Sequence, residues 1–259
     1  MVSLNFYENV PFMIEGEEKP SLEYYPAKNK SGRGTMLIFP GGGYVVRAEH
    51  EGKGYAEFLN LLGLDTFVLQ YRKSPYRHPV PLYDARRAIR YIRRNAEKFG
   101  INPDKIAVMG SSAGGHLAAL LSTFKNELPR EQFDNLKDVS YKPNYQILCY
   151  PVTNIESHQG SYENLLDEKI KELKEQVNPI ALADSDTPPA FIWHTSTDTT
   201  VAPASTLQYA AQLHSLGVKC DLHIYANGGH GLGLAIDYPI VCTWTCELKE
   251  WLKFNGFFE

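Results

Sequence analysis

The stretch Ile106-Ala-Val-Met109, followed by Gly110-Ser111-Ser112-Ala113-Gly114-Gly115, decides how the rest of the chain is read. Four apolar residues predict a buried strand, and Ala113 to Phe124 predicts a helix. Between them lies Gly-x-Ser-x-Gly. A turn that reverses from strand to helix within three residues leaves no room for side chains on either flank. That requirement explains the glycines and leaves the central hydroxyl exposed at the apex. The helix that follows aims its positive dipole end at that hydroxyl, where developing negative charge is favoured. A phosphate-binding loop is the competing reading, but no Lys-Ser/Thr pair follows, so a Walker-type loop fails. Ser112 is the candidate nucleophile, and Ser111 is expected to point elsewhere.

Outward from this turn, short apolar runs alternate with helical patterns. Strands are predicted at 35–39, 66–70, 106–109, 146–149, 190–193 and 221–225, and helices at 54–62, 81–98, 113–124, 205–215 and 240–254. In the second helix Leu82, Ala85, Ala88, Ile89 and Ile92 mark one apolar face, while five arginines decorate the others. Near-continuous apolar strands imply burial on both sides, as in a parallel sheet covered by helices. The first thirty residues read instead as antiparallel edge strands. About forty residues separate Tyr150 from Ala190, with a charged helix-like stretch from Glu163 to Gln176. Residues 153–187 are either a solvated surface insertion or a small cap over a pocket. No repeat, low-complexity tract or linker is visible, so residues 1–259 read as one domain.

A serine hydroxyl is a poor nucleophile at neutral pH and needs a base with an orienting acid. Downstream histidines are 116, 158, 194, 214, 223 and 230. His116 lies one turn into the nucleophile's own helix, His214 lies within a helix and His223 within a strand. His230, in Asn227-Gly-Gly-His230-Gly, follows the strand at 221–225 and can reach across the sheet's carboxyl edge. Asp198 follows the strand at 190–193, whereas Asp184 and Asp186 precede it, at the wrong end of the sheet. An alternative role for Asp198 is capping the next helix. Strand 35–39 runs into Pro40-Gly41-Gly42-Gly43-Tyr44, where backbone N–H groups can face a bound oxygen without obstruction. Gly42, Gly43 and Ala113 are the candidate oxyanion-hole donors. Tyr44, Arg47 and His50 follow and are candidate substrate contacts, suited to a sugar.

These segments resemble the α/β-hydrolase superfamily. Within it, the chain is similar to bacterial intracellular esterases related to acetylxylan esterase and to the lipase-like acetyl esterases. The likeness covers roughly residues 35–235. It rests on Phe39-Pro-Gly-Gly-Gly-Tyr44, Tyr71-Arg72, Pro81 to Arg90, Met109 to Ala118, Pro188 to Thr195 and Gly228-Gly-His230-Gly-Leu-Gly-Leu234. It implies a mostly parallel eight-stranded sheet flanked by helices, with a small insertion after the sixth strand. It also implies a Ser-His-Asp serine esterase working on short carboxylic esters, such as O-acetyl groups on sugars or xylo-oligosaccharides, with no cofactor and no metal. The family's acid segment normally reads Asp-Asp-x-Val-Pro. Here Thr197 takes the first Asp position and Ala202 stands where Pro is expected, which changes the stiffness of that loop. Asp84 and Arg72 match scaffold positions. A serine peptidase, an arylformamidase or a non-catalytic ligand-binding homologue are the alternatives on the same scaffold.

Composition narrows the classes further. With 43% apolar residues in 259, a packed core is expected and a disordered chain is excluded. A net charge of -4 from 26 basic and 30 acidic residues argues against a nucleic-acid partner. No apolar run reaches the roughly 18 residues needed to cross a bilayer, so no membrane partner is expected. Met1 to Pro20 lacks a basic start, an apolar stretch and a cleavage site, so a cytoplasmic location is the expectation. Four cysteines without Cys-x-x-Cys read as buried or semi-buried free thiols rather than metal ligands. A small ester is the expected partner, with homo-oligomerisation left open.

Overall fold

The structure, a computed structural model, describes residues 1–258. Eight strands form one sheet in the order β1-β2-β4-β3-β5-β6-β7-β8. They are β1 (Val2–Leu4), β2 (Ser21–Tyr25), β3 (Thr35–Phe39), β4 (Asp65–Gln70), β5 (Ile106–Ser111), β6 (Tyr145–Cys149), β7 (Ala190–Thr195) and β8 (Cys220–Tyr225). β1 and β2 run antiparallel at one edge, and β3 to β8 are parallel. β3 lies between β4 and β5, so the chain leaves it first toward one side of the sheet and later returns on the other. Loops at the carboxyl ends of β3 and β5 therefore part company, and a crevice opens between them.

Alternation along each strand divides the core in two. Leu37, Phe39, Val108, Leu148 and Ile192 face one layer, built from α2 (Val80–Arg94), α4 (Ser112–Thr123) and α8 (Pro203–Ser215). Met36, Ile38, Met109, Ile147 and Trp193 face the other, built from α1 (Glu49–Leu61) and α9 (Trp244–Phe254). Apolar side chains are thus buried on both faces, which is why these strands show no polar alternation.

Several boundaries differ from expectation. α1 begins at Glu49, five residues before the apolar pattern starts, because Glu49 and Glu51 occupy its first turn, where acidic groups suit the dipole. The helix expected over 81–98 breaks at Asn95, whose side-chain amide donates to the Tyr91 carbonyl at 2.8 Å. A short α3 (Ala96–Phe99) follows and ends at left-handed Gly100. The terminal helix starts at Trp244, behind a 3-10 turn over Val241–Thr243.

Three of the arginines on the other faces of α2, Arg86, Arg87 and Arg90, are buried. Arg86 pairs with Glu131 at 2.7 Å, Arg90 reaches both Glu131 (2.8 Å) and Asp134 (3.2 Å), and Arg87 pairs with Asp134. The connection between α4 and β6 folds over this face and supplies the acids. Among the thiols, Cys149 is buried and Cys220 and Cys242 are half-buried, whereas Cys246 is exposed, contrary to expectation.

The segment between β6 and β7 carries α5 (Gln159–Leu166), α6 (Ile170–Leu173) and α7 (Pro179–Leu182), linked by 3-10 turns. Tyr162, Leu165, Leu166 and Val177 bury themselves in the first core layer. The segment is also stitched to the glycine loop, since Asn164 donates from Nδ2 to the Gly43 carbonyl at 2.9 Å.

Candidate active site

Four loops at the carboxyl ends of parallel strands converge. β5 enters α4 through Ser112 with φ at +53°, a left-handed conformation that costs a non-glycine residue about 1–3 kcal/mol. Such strain persists only where surroundings enforce it. A Cβ on Gly110 would lie 2.1 Å from the Gly114 carbonyl oxygen, and one on Gly114 would lie 2.0 Å from the Phe39 carbonyl oxygen. The two outer glycines of the motif are therefore contacts of backbone on backbone. Ser111 turns the other way, its Oγ 2.9 Å from the Tyr55 hydroxyl.

Ser112 Oγ lies 2.8 Å from His230 Nε2, and His230 Nδ1 lies 2.7 Å from Asp198 Oδ2. A carboxylate only accepts, so Nδ1 carries the proton and Nε2 presents its lone pair to the serine hydroxyl. Asp198 is buried and richly supplied with donors. Its Oδ1 accepts the N–H groups of Thr200 (2.9 Å) and Val201 (3.0 Å), and its Oδ2 also accepts from His194 Nε2 at 3.1 Å. Burial by itself would raise this carboxyl, but hydrogen bonds from His194, His230 and Val201 outweigh it and hold the group well below the usual carboxylate range. Asp198 thus stays charged beside His230.

The glycine loop closes the other side. The carbonyls of Gly41, Gly42 and Gly43 are each occupied, by the N–H of Ala48, by those of Val45 and Val46, and by Asn164. Their donors are treated differently: Gly41 N–H is taken by Glu51, while those of Gly42 and Gly43 have no acceptor among the described residues. Ala113 N–H, in the first turn of α4, likewise has no intrahelical partner. A Cβ on Gly41 would sit 3.1 Å from Ser112 Cβ, so this loop lies directly against the nucleophile's turn.

The three residues after the glycines separate. Tyr44 is buried, and its hydroxyl donates to His116 Nδ1 at 2.7 Å, while His116 Nε2 donates to the Val177 carbonyl at 2.8 Å. Tyr44 is therefore a support beneath the loop and not a substrate contact; the sequence offered no sign that a histidine inside α4 would claim it. Arg47 spends its guanidinium on the Tyr71 carbonyl (2.8 Å) and on Glu18 (2.6 Å), beside a cavity of about 1000 Å³ that Pro40, Glu23 and Lys53 also line. His50 is exposed and reaches the Gly231 carbonyl at 2.9 Å, next to His230.

Two further histidines, 194 and 158, were given no role from the sequence. His194 steers Asp198 as described; its position four residues before the acid was the available signal. His158 caps α5, accepting Ser161 N–H at Nδ1 over 3.0 Å, which leaves Nε2 as its donor. It is held below its ordinary value by burial first and by the neighbouring His230 second.

A nucleophile elbow, an acid loop and a histidine loop in that chain order, on a parallel sheet with an antiparallel edge, define an α/β-hydrolase. The family is narrower. Residues 23–213 match the BD-FAE family, and the chain belongs to it. It is 34% identical to endo-1,4-beta-xylanase B of Butyrivibrio fibrisolvens across 84% of its own length and 35% of that protein's. It is 30% identical to the acetylxylan esterase of Xylanibacter ruminicola across 93% of its own length and 49% of that protein's. The chain thus spans half or less of these two relatives. The acetyl ester-xyloside bifunctional hydrolase of Caldicellulosiruptor lactoaceticus superposes with a TM-score of 0.93 at 38% identity, covering all of this chain and 97% of the other.

Proposed function

We propose that this protein is a serine-dependent carboxylic ester hydrolase that removes short acyl groups, acetyl above all, from sugars or xylo-oligosaccharides. The observation that carries the reading is the unbroken hydrogen-bonded line from Ser112 through His230 to Asp198, beside amide donors that no other group among the described residues claims. Kinship with a protein named acetylxylan esterase and with one named acetyl ester-xyloside hydrolase supports the choice of acetylated sugars.

In this mechanism His230 Nε2 takes the Ser112 proton as Oγ attacks the ester carbonyl carbon. The carbonyl oxygen gains the negative charge and is held by the N–H groups of Gly42, Gly43 and Ala113. His230 then gives the proton to the leaving alcohol as the tetrahedral adduct collapses to an acyl-serine. Water, deprotonated by the same imidazole, repeats the sequence and frees the acid. Asp198 keeps Nδ1 protonated and offsets the transient imidazolium charge. His50, bonded to the Gly231 carbonyl beside His230, and His158, close enough for the His230 charge to lower it, are the side chains we assign to the alcohol portion. Residues 153–187 serve as a cap whose Asn164 steadies Gly43. No helix among the described residues is long and apolar enough to cross a membrane.

The test is hydrolysis of p-nitrophenyl acetate, butyrate and octanoate and of acetylated xylo-oligosaccharides, with Ser112→Ala alongside. Expected are turnover falling with acyl length, acetate release from the oligosaccharide and at least about 10³-fold loss in the alanine variant. Equal rates for wild type and Ser112→Ala would overturn the assignment. Cleavage of aryl formamides or peptides in preference to acetate esters would redirect it.

A further inference from the structure

Glu51 is a buried acid, 3% exposed, with no Lys or Arg in ion-pair contact among the described residues; the exposed His50 imidazole lies 3.8 Å away. Burying a carboxylate without a cation is expensive, and a core apolar residue at that position in α1 would be cheaper if packing were all that mattered. What surrounds the carboxylate accounts for it. Oε2 accepts the Gly41 N–H at 2.8 Å, and Oε1 accepts the Tyr150 hydroxyl proton at 2.7 Å. The Tyr150 oxygen in turn accepts the Gly233 N–H at 2.9 Å and lies 3.1 Å from the Tyr55 hydroxyl, which meets Ser111 Oγ. The Tyr150 ring stands edge-on to the His230 imidazole, with centroids 5.1 Å apart.

One carboxylate therefore joins the glycine loop, the histidine loop and the strand end that carries Ser112. We propose that Glu51, acting through Gly41 and Tyr150, is a positioning residue that sets the oxyanion donors and His230 in register around Ser112. The proposal rests on the ester-hydrolase reading above. Its logic is electrostatic preorganisation: donors held rigidly before charge develops lower the barrier, while the ground-state ester gains little from them. Spending the Gly41 N–H on Glu51 fixes the peptide plane immediately before the two unclaimed amides. The Cβ that any other residue would bring to position 41 lies 2.5 Å from Glu51 Oε2, so the glycine and the acid fit each other.

Glu51→Gln keeps the volume but replaces one acceptor oxygen with a donor, so either Gly41 N–H loses its acceptor or the Tyr150 hydroxyl must turn its proton away toward Tyr55. Tyr150→Phe removes the hydroxyl and with it the links to Glu51 Oε1, Gly233 and Tyr55, while the bond from Gly41 N–H to Glu51 Oε2 stays. For Glu51→Gln we expect kcat on p-nitrophenyl acetate to fall about 10- to 100-fold with KM within threefold. Amide hydrogen exchange should quicken in residues 41–46 and 228–236 with little change in the thermal midpoint. For Tyr150→Phe exchange should quicken in 228–236 alone. Glu51→Gln with kcat within twofold of wild type and unaltered exchange in both loops overturns the proposal. So does Tyr150→Phe with native kcat and exchange, which decides the matter if Glu51→Gln does not fold. A wild type that hydrolyses no ester, yet shows this exchange response, defeats the functional reading and leaves the clamp standing.

Discussion

Thr197 and Gly228 exchange two hydrogen bonds: the Thr197 hydroxyl donates to the Gly228 carbonyl and accepts the Gly228 N–H, each at 2.9 Å. Thr195 adds a bond from its hydroxyl to the same carbonyl at 3.0 Å. The loop that carries Asp198 is thereby fastened to the loop that carries His230, two residues from the imidazole. A threonine at position 197 thus supplies a cross-loop tie in a segment where relatives of this kind were expected to have an aspartate. Thr197→Val is isosteric and removes both bonds. It should lower kcat on p-nitrophenyl acetate about 3- to 10-fold, with Thr197→Ser retaining most of the activity. Steady-state kinetics on the three proteins checks this, and a valine variant with native kcat would show that the tie is dispensable.

Ala202, the second departure from the expected acid segment, also has a visible consequence. Its N–H donates to the Ser157 carbonyl at 3.1 Å, fastening the segment that carries His158 to the loop after Asp198. Proline has no N–H to give. The backbone at 202 already has φ of −62°, which suits proline, while the ring in place of the N–H would push the Ser157 carbonyl away. Ala202→Pro should therefore fold, lose this one bond and loosen residues 154–160. If His158 meets the alcohol, KM for acetylated xylo-oligosaccharide should rise about two- to fivefold while kcat on p-nitrophenyl acetate stays within twofold. A uniform change on both substrates would count against a role for that segment in holding sugar.

The central strands and the elbow were legible in the sequence because they rest on local signals. Continuous apolar runs announce a sheet covered on both faces, and backbone-on-backbone contact at Gly110 and Gly114 tolerates no other residue. The convergence of positions 112, 198 and 230 was legible because each closes a strand on the same edge. What could not be read depends on partners distant in sequence. Arg86 and Arg90 look solvated until Glu131 folds over them, and Glu51, in Glu-His-Glu-Gly, looks like one more surface acid. Tyr44 looks like a pocket wall until His116 is found beneath it. Polar residues declare their burial only through such partners, whereas apolar ones declare it alone.

The α2 network turns that contrast into a stability prediction. Glu131 faces two buried guanidinium groups, so Glu131→Ala leaves Arg86 and Arg90 short of charge in a dry setting and should cost about 3–5 kcal/mol. The exposed pair Lys125–Asp184 makes the comparison. Asp184→Ala should change stability by about 1 kcal/mol or less, because solvent screens such a pair. Urea unfolding at neutral pH measures both. Similar costs for the two would mean that burial of the arginines contributes little.

His116 and His78 predict how stability depends on pH. Burial pushes each down to about 4, with the charge of His116 adding to the effect on His78 and the Val177 carbonyl opposing it at His116. The unfolded chain holds its histidines near 6.5. Between these values the unfolded state binds protons that the native state refuses, so acid favours unfolding. The stabilisation is complete above about pH 6.5 and is lost as pH falls toward 4, at up to about 1.4 kcal/mol per pH unit for each histidine. Asp198 contributes in the same direction but at lower pH, because its native pKa also lies below the unfolded one. Gln at position 116 can still donate to Val177 and accept from Tyr44 without titrating. His116→Gln should therefore lower the slope of unfolding free energy between pH 6.5 and 4.5 by roughly one proton, as measured by urea titrations at half-unit intervals. An unchanged slope would mean that this imidazole already carries its proton in the native core.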